Sequence, residues 1–380
     1  MTTILRAPSP ARFLSLVPHL AGFTPRESLV LVPFRGGRSL GVLRLDLPSP
    51  DEDEARFAAT AIGTVCRVRD ADGLAIVVYT DQPFHRAGTR DPARHTLVAR
   101  VRARASDGGL AVHGAHLVAA DGWGSYGEGP ACRPLAEIEP PPDVEGGLGP
   151  VSRDQHAGLK LPRVGKAARR RVAAAMAELQ GDGLGPEPMG GHAAAHDGAR
   201  SRGPTPGVDD AAIHDLPGVF EDALSWDPCD LHPAETAVLA LSLGVPLLRD
   251  VALTQWSADL DTGRRTLAWQ LRFAQGDAGA PNEPVRLAGD GPRPDPSRLR
   301  RALELTRVAA ASVPARQRVG PLASAAWLSW ALGNSTHAGW YVSRALEIEP
   351  THGLAGLIAT MLANAYLPAW AFERPPRRDA

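Results

Sequence analysis

One stretch of the chain limits what the whole can fold into. Residues 181–208 hold eight glycines and four prolines, and their only larger aliphatic side chains are Leu184, Met189 and Val208. So little apolar surface cannot offset the conformational entropy that a backbone loses when it becomes ordered. The stretch therefore predicts a disordered Gly/Pro linker between two separately folding regions, residues 1–180 and 209–380.

The region before the linker alternates between strand-like and helix-like patterns. Strands are predicted over 28–32, 40–45, 74–79 and 110–118, and helices from Pro10 towards His19, after Ser49, from about Asp91 and over 164–180. Gly36-Gly37 marks a hairpin turn, and the spacing of Ser49 and Glu52 is that of a capping box at a helix start. A strand, a crossover helix and a further strand favour a three-layer α/β/α domain with a mixed sheet.

The region after the linker has only helical periodicity. Helices are predicted over 234–243, 247–260 and 299–311, and near 321–332, 336–349 and 353–366. Seven of the eight tryptophans fall in this part of the chain, while the Pro/Gly-rich stretch 276–296 is expected to loop out. The second region is therefore predicted to be all-α.

The predicted helices near 321–332 and 336–349 resemble a single tetratricopeptide repeat, which the helix near 353–366 would cap. The positions that carry this resemblance are Trp327, Gly333, Ala338, Tyr341, Ala345 and Pro350. One repeat over 321–366 cannot build the long concave surface of a repeat array, so two interpretations stay open. The segment is either a helical packing unit or a site for a protein or peptide partner. The candidate contact residues for a partner are Trp327, Trp330, Trp340 and Tyr341.

The whole chain also resembles a known family. The residues that carry this resemblance are Leu16–Val32 (LVPHLAGFTPRESLVLV), Leu43–Pro48, Val77–Tyr79, Asp121–Trp123 with Ser125-Tyr126, Leu161-Pro162, and the C-terminal phrases Ala-Trp-Leu and Ala-Leu-Glu. They are similar to the actinobacterial family called domain of unknown function 4192, over most of the chain apart from the linkers. The resemblance implies no activity. Of the cysteines in the family's segment after Ser125-Tyr126, this chain keeps only Cys132, so no metal or thiol role follows from it.

Charge and composition favour a cytoplasmic protein without a polyanionic partner. The chain has 41 basic and 42 acidic side chains, a net charge of −1, and no apolar run or leader-like start that suggests a membrane. Two basic patches stand out, one with Arg94, Arg100, Arg102 and Arg104, the other over 163–171. Neither is interleaved with aromatic residues for base stacking, so we expect no nucleic-acid partner.

Candidate ligand-binding residues follow from the predicted sheet. Ligands of open α/β sheets bind beyond the carboxyl ends of the strands, where this chain places Asp46, Thr80 and Asp81. The loop that follows the last predicted strand adds Trp123, Ser125 and Tyr126. Two interpretations of Asp46 and Asp81 stay open. They either form a pair across a cleft, suited to acid/base catalysis or to binding a divalent cation, or they are ordinary turn residues. The turn interpretation is favoured.

Metal, cofactor and nucleophile patterns are weak. His113 and His116, three apart on a strand, are expected to point to opposite faces and so not to share a metal unless the strand bulges. Residues 227–232, Asp-Pro-Cys-Asp-Leu-His, collect metal-ligand side chains but are also typical of a turn and a helix start. Ser125 lacks the strand-to-helix turn of a nucleophile elbow, and no phosphate-binding loop occurs. We expect neither a metal nor a cofactor.

Two functional hypotheses remain. The first is a non-catalytic binding or adaptor module, because catalytic signatures are absent and one repeat motif is present. The alternative is an enzyme or small-ligand sensor that uses a cleft at Asp46, Asp81 and the Trp123 loop. Converging carboxylates and hydroxyls would favour the alternative, and an exposed apolar groove on 321–366 would favour the adaptor. The partner's identity and the oligomeric state stay open.

Overall fold

The chain forms two compact units. A computed structural model describes residues 7–127, 131–140, 148, 150–181, 210–276 and 285–373, and the side chains of these except at 181 and 210–215. The first unit comprises Met1–Ala157 and Phe372–Ala380, and the second Gly158–Ala371. The predicted linker lies almost wholly outside the described residues. The units divide at 157/158, and the helix that follows packs Val172 and Met176 into the helical core.

The first unit is a mixed α/β fold. Its elements in chain order are α1 (Pro10–Ala21), β1 (Ser28–Arg35), β2 (Arg38–Ser39), β3 (Leu43–Asp46), α2 (Glu54–Cys66), β4 (Gly73–Tyr79), α3 (His95–Asp107), β5 (Ala111–Val118) and β6 (Trp123–Ser125). Within the described residues the six strands form one sheet in the order β2-β1-β4-β5-β6, with β3 also paired to β1. Only β4 and β5 are parallel, since α3 connects them as a crossover.

The sheet is covered on both faces. Alternate residues of β1 and β4, such as Leu31 and Ile76, pack against α2 and α3. The residues between them, such as Val30 and Val77, pack against α1. This arrangement confirms the predicted three-layer α/β/α domain, and it explains why β1 and β4 are continuous apolar runs rather than alternating ones.

Local signals set several element boundaries. Ser9 caps α1 through its hydroxyl, which accepts a hydrogen bond from the Arg12 amide at 3.1 Å, with Pro10 as the first helical residue. The start of α2 differs from the prediction. The Glu52 carboxylate does accept the Ser49 amide at 2.7 Å, but the helix begins only at Glu54, where Asp53 caps the Ala55 amide at 2.8 Å.

The second unit is helical, as predicted. Its helices are α4 (Lys166–Gly181), α5 (Asp210–Ala223), α6 (Pro233–Gly244), α7 (Pro246–Trp256), α8 (Leu260–Ala274), α9 (Pro296–Ser312), α10 (Val319–Ala331), α11 (Ser335–Ile348) and α12 (Gly353–Ala363). The sequence patterns missed α5 and α8. In the described part of the chain no single helix is long and apolar enough to cross a membrane. The bent pair α6 and α7 meets these two criteria only when the helices are taken together, and by length and composition alone.

Candidate functional site

Strand register brings the predicted ligand residues to one end of the sheet. Asp46 of β3 pairs with Ser28 of β1, which pairs with Tyr79 of β4. Tyr79 pairs in turn with Val118 of β5, and Val118 with Trp123 of β6. Thr80 and Asp81 follow Tyr79 directly. This row places residues from five strands side by side, although they come from distant parts of the sequence.

Glu27 directly precedes β1, between the ends of β3 and β4. Its Oε1 atom accepts a hydrogen bond from the Thr80 hydroxyl at 2.7 Å and another from the Asp81 amide at 2.5 Å. Its backbone φ is 41°, in the left-handed region that residues other than glycine seldom adopt. Such a conformation costs about 1–3 kcal/mol and persists where the surroundings hold it in place. The carboxylate thus ties the start of β1 to the end of β4.

Arg26 is held on both its backbone and its side chain. The buried Gln155 amide accepts a hydrogen bond from the Arg26 backbone N–H at 3.1 Å and donates one to the Arg26 carbonyl at 2.9 Å. The Arg26 Nη2 atom lies 2.8 Å from the Asp81 Oδ2 atom. This carboxylate raises the pKa of the Arg26 guanidinium above its ordinary value, chiefly by hydrogen bonding. Asp81 is therefore oriented although it is 62% exposed.

Ser28 continues the hydrogen bonds towards Asp46. The buried Ser28 hydroxyl donates to the Arg26 carbonyl at 2.6 Å and accepts from the Arg44 Nε atom at 2.7 Å. The Arg44 guanidinium is almost fully buried and also contacts the Asp46 carboxylate, which is 73% exposed. We call this set the strand-end network, and its members are Arg26, Glu27, Ser28, Arg44, Asp46, Thr80, Asp81 and Gln155.

Asp46 and Asp81 do not form the carboxylate pair that the sequence left open. β1 lies between β3 and β4, which are therefore two strand spacings, roughly 9–10 Å, apart. Asp81 also lies two residues beyond Tyr79, the residue in register with Asp46 across β1. Each carboxylate contacts its own arginine, Arg44 for Asp46 and Arg26 for Asp81. Within the described residues, moreover, no group of three His, Cys, Asp or Glu side chains could hold a metal ion. The network is suited to hydrogen bonding rather than to shared acid/base chemistry.

The loop residues Trp123 and Tyr126 pack into the unit. Trp123 is 2% exposed and lies on the α1 face, with the Arg133 guanidinium 5.3 Å from its ring centre. The buried Tyr126 hydroxyl donates to the Ala93 carbonyl at 2.6 Å, and burial raises its pKa above the ordinary value. Both side chains therefore position the loop and do not face a ligand from solvent.

Ser125 is exposed and has a histidine partner. Its hydroxyl lies 2.9 Å from the Nδ1 atom of His116, its cross-strand neighbour, which is 7% exposed. Burial, and then the charge of Arg102, lower the pKa of His116 to about 4. A general base is most effective when its pKa lies near the working pH, so this imidazole is a weak base at neutral pH. Among the described residues Ser125 is also its only hydrogen-bond partner, and no third group orients it as in a triad.

The expectation that His113 and His116 point to opposite faces is wrong. The pairing of β4 with β5 shifts so that Leu74 pairs with Val112 while Ala75 pairs with Gly114, which leaves His113 in a bulge. An extra residue reverses the alternation of faces beyond it. Both imidazoles now lie on the α1 face, His113 against Phe34 with ring centres 5.4 Å apart and His116 against Phe13 at 6.0 Å.

The aromatic residues proposed for partner binding mostly form the core of the second unit. Trp327, Trp330 and Tyr341 are fully buried. The two indoles donate hydrogen bonds to the Leu287 and Tyr366 carbonyls, at 3.0 and 2.8 Å. Of the four candidates only Trp340 is partly exposed, with the Arg344 guanidinium 5.5 Å from its ring centre. The segment therefore does not present these aromatic side chains as one apolar groove.

The metal-like hexapeptide 227–232 has local structural roles. Asp227 accepts the Cys229 amide at 2.9 Å, as in a turn. His232 caps α6, and the Glu235 carboxylate returns to the His232 amide at 2.8 Å to complete a capping box. These contacts show a turn followed by a helix start, which is the interpretation that the sequence favoured.

Five members of the network were missed from sequence. Arg26 and Glu27 precede β1 and Ser28 is its first residue, whereas the strand-end rule considers only residues beyond the carboxyl ends of strands. The antiparallel hairpin was a usable signal, because it places the start of β1 beside the end of β3. Arg44 falls inside a strand pattern, and Gln155, which completes the network, follows a Gly/Pro-rich stretch with no pattern that singles it out.

Comparison with known proteins gives a family match. The family model described as Domain of unknown function (DUF4192) matches residues 10–282 and 295–369, and so includes parts of both units. No curated protein and no solved structure matches the chain significantly. The family's description carries no activity.

Proposed function

The chain belongs to the DUF4192 family, and from the geometry of its first unit we propose that it binds a small polar ligand at the strand-end network. The observation that carries this proposal is Glu27, a carboxylate held in a strained backbone conformation at the end of the sheet. Strained residues cluster at functional sites more often than elsewhere in folded proteins. The role is that of a non-catalytic binding module or sensor.

The charges of the network indicate the class of ligand. Its inner groups, Ser28, Thr80 and Gln155, are buried. The Ser28 hydroxyl and the Gln155 amide bind the backbone of Arg26, and the Thr80 hydroxyl donates to the Glu27 carboxylate. Its outer carboxylates, Asp46 and Asp81, are exposed but oriented by arginines. Pre-oriented acceptors bind a ligand without the entropy cost of ordering themselves. Molecules with ammonium or hydroxyl donors, such as amino acids, polyamines and sugars, fit this surface.

If the network had a purely structural role, it would only hold β1 against β4. Substitution of its exposed carboxylates distinguishes this role from ligand binding. An exposed ion pair contributes about 0–1 kcal/mol to stability, so Asp81→Asn should leave the fold nearly unchanged. If the network only holds the two strands together, Asp81→Asn changes neither the stability nor the response to a ligand. If it binds a ligand, the same substitution removes the stabilisation that the ligand provides.

The test is a thermal-shift screen of the full chain with free amino acids, polyamines and monosaccharides. A ligand present at about 100 times its Kd adds about 2.7 kcal/mol to the free energy of unfolding. We expect a hit that Asp81→Asn or Asp46→Asn weakens at least tenfold. Asp107→Asn is the matched control, since Asp107 is similarly exposed at 68% and contacts Arg104 in the same unit. A hit equally sensitive to Asp107→Asn, or no hit in the three classes, would refute the proposal.

Binding of a protein or peptide by the tetratricopeptide-like segment is the second candidate. The specific observation in its favour is Trp340, whose partly exposed ring lies beside Arg344 on α11. Aromatic and arginine side chains are the ones that most often dominate protein interfaces. It ranks second because the remaining three aromatic candidates are fully buried.

A further inference from the structure

A basic segment at the start of α4 is not explained by the strand-end network. Residues 163–171 contain five positive side chains and no acidic one. The fold adds a sixth, Arg318, from the 3-10 turn Ala315–Arg318 before α10. The Arg169 Nε atom donates to the Ala311 carbonyl at 3.1 Å, and the Arg318 Nε atom donates to the Val313 carbonyl at 3.0 Å. Because the two carbonyls are two residues apart, the guanidinium groups lie near each other at the end of α9.

Both guanidinium groups keep unused donors. Each arginine donates through Nε alone, and within the described residues neither makes an ion pair nor a hydrogen bond through its Nη atoms. Burial, and then the positive charge of Arg169, lower the pKa of Arg318. Among the residues that the structure describes, these two neighbouring cations therefore have no carboxylate as an ion-pair partner.

Capping of α9 explains only part of this arrangement. Basic side chains near the end of a helix favourably bind its last carbonyls, which accounts for the two Nε hydrogen bonds. It does not account for the surroundings. Lys166 and Arg169 lie in the first turn of α4, which has no acidic residue, although acidic side chains are the ones favoured there. The excess positive charge is what an anion would neutralise.

We propose that Arg169 and Arg318 bind a phosphate-type oxyanion, with Lys166 at the edge of the site. The planar guanidinium fork matches phosphate oxygens in a bidentate way, and two forks supply donors to different oxygens of one anion. The anion is either free phosphate or the phosphate group of a small molecule. This site lies in the second unit and does not depend on the ligand proposed for the first.

A nucleic acid is not the preferred occupant. Proteins that bind single strands combine positive charge with aromatic side chains on which bases stack. Residues 163–181 contain no aromatic residue, and neither does 315–318. The observations therefore favour a small phosphate-containing anion over a polymer.

The experiment is isothermal titration of the full chain with inorganic phosphate and with pyrophosphate, at ionic strength fixed with chloride. We expect saturable binding that Arg169→Lys weakens at least tenfold, since lysine keeps the charge but loses the fork. Arg318→Lys should act in the same way. Arg171→Gln, on the same helix but exposed, should leave the affinity within about twofold of the wild type.

Three results would overturn the proposal. One is the absence of saturable binding for both anions. Another is an equal loss in Arg171→Gln and Arg169→Lys, which would indicate charge without a site. The third is tight binding of a short RNA that Arg169→Lys does not affect, which would indicate a nucleic-acid surface. If Arg318→Lys fails to fold, Arg169→Lys decides the question, because Arg169 is exposed and its stem can still pack.

Discussion

The two units treat the residues that stand out in the sequence in opposite ways. In the first unit, polar residues as far apart as Arg26 and Asp81, 55 positions, meet at the end of the sheet. In the second unit, Trp327 and Trp330 are close in sequence, and both are buried in the core. A sheet aligns strand ends whatever their distance in sequence, whereas a helix presents a residue to solvent only if no neighbouring helix covers it. Conspicuous residues therefore identify a site more reliably at strand ends than on helices.

The largest expected effect tests whether the helical aromatics form a core rather than a surface. Trp330→Ala should lower the free energy of unfolding of the second unit by about 3–5 kcal/mol. The side chain is fully buried, donates to the Tyr366 carbonyl, and packs beside Trp327 and Trp370 with ring centres 6.2 and 6.3 Å away. Urea unfolding followed by far-ultraviolet circular dichroism measures the loss. Trp340→Ala is the control, with less than half of that loss; equal losses would remove the contrast between the units.

Many of the helices and strands could be predicted from the sequence, and the physical reasons can be identified. Ser9-Pro10 starts α1 by local capping, which needs no tertiary information. Asp295-Pro296 gives the same signal for α9, but the predicted helix began only at 299. Helix α8 was missed although its start carries a local signal, since the Asp259 carboxylate accepts a hydrogen bond from the Thr262 amide at 2.8 Å. The bulge at His113, by contrast, is a tertiary feature, since it depends on how β5 aligns with β4.

The candidate site was predictable only in part. Asp46, Thr80 and Asp81 follow from the strand-end rule, and the structure places them at one end of the sheet. Glu27 could not be found that way, because its importance comes from a backbone conformation and from hydrogen bonds to residues more than 50 positions away. Register is set by the whole sheet, and a local pattern does not contain it.

A second prediction concerns how the stability of the first unit depends on pH. The pKa of buried His116 is lowered to about 4 from 6.5, so the unfolded chain binds a proton that the folded chain does not between these values. Stability of the first unit should be fully present above pH 6.5 and should fall, by up to about 3 kcal/mol, as the pH drops through this window. Thermal unfolding of wild type and His116→Gln from pH 7.5 to 4 measures it. Parallel pH profiles for the two proteins would mean that His116 is not buried as a neutral ring.

The smallest effects concern two helical glycines that sequence alone cannot tell apart. Gly320 lies at the start of α10, where an added Cβ would collide with the backbone of Leu243 and Gly244 at the end of α6. Gly356 lies within α12, and an added Cβ there would meet nothing within 4 Å. Gly356→Ala should therefore raise the free energy of unfolding by about 0.5–1 kcal/mol, the ordinary gain of helix propensity. Gly320→Ala should lower it by about 1–3 kcal/mol, because a backbone contact cannot give way as a flexible side chain does. Differential scanning calorimetry of the two variants compares the signs directly. A gain in stability at both positions would show that the close approach of helices does not determine the packing of the second unit. The explanation for why its conspicuous residues are buried would then be wrong as well.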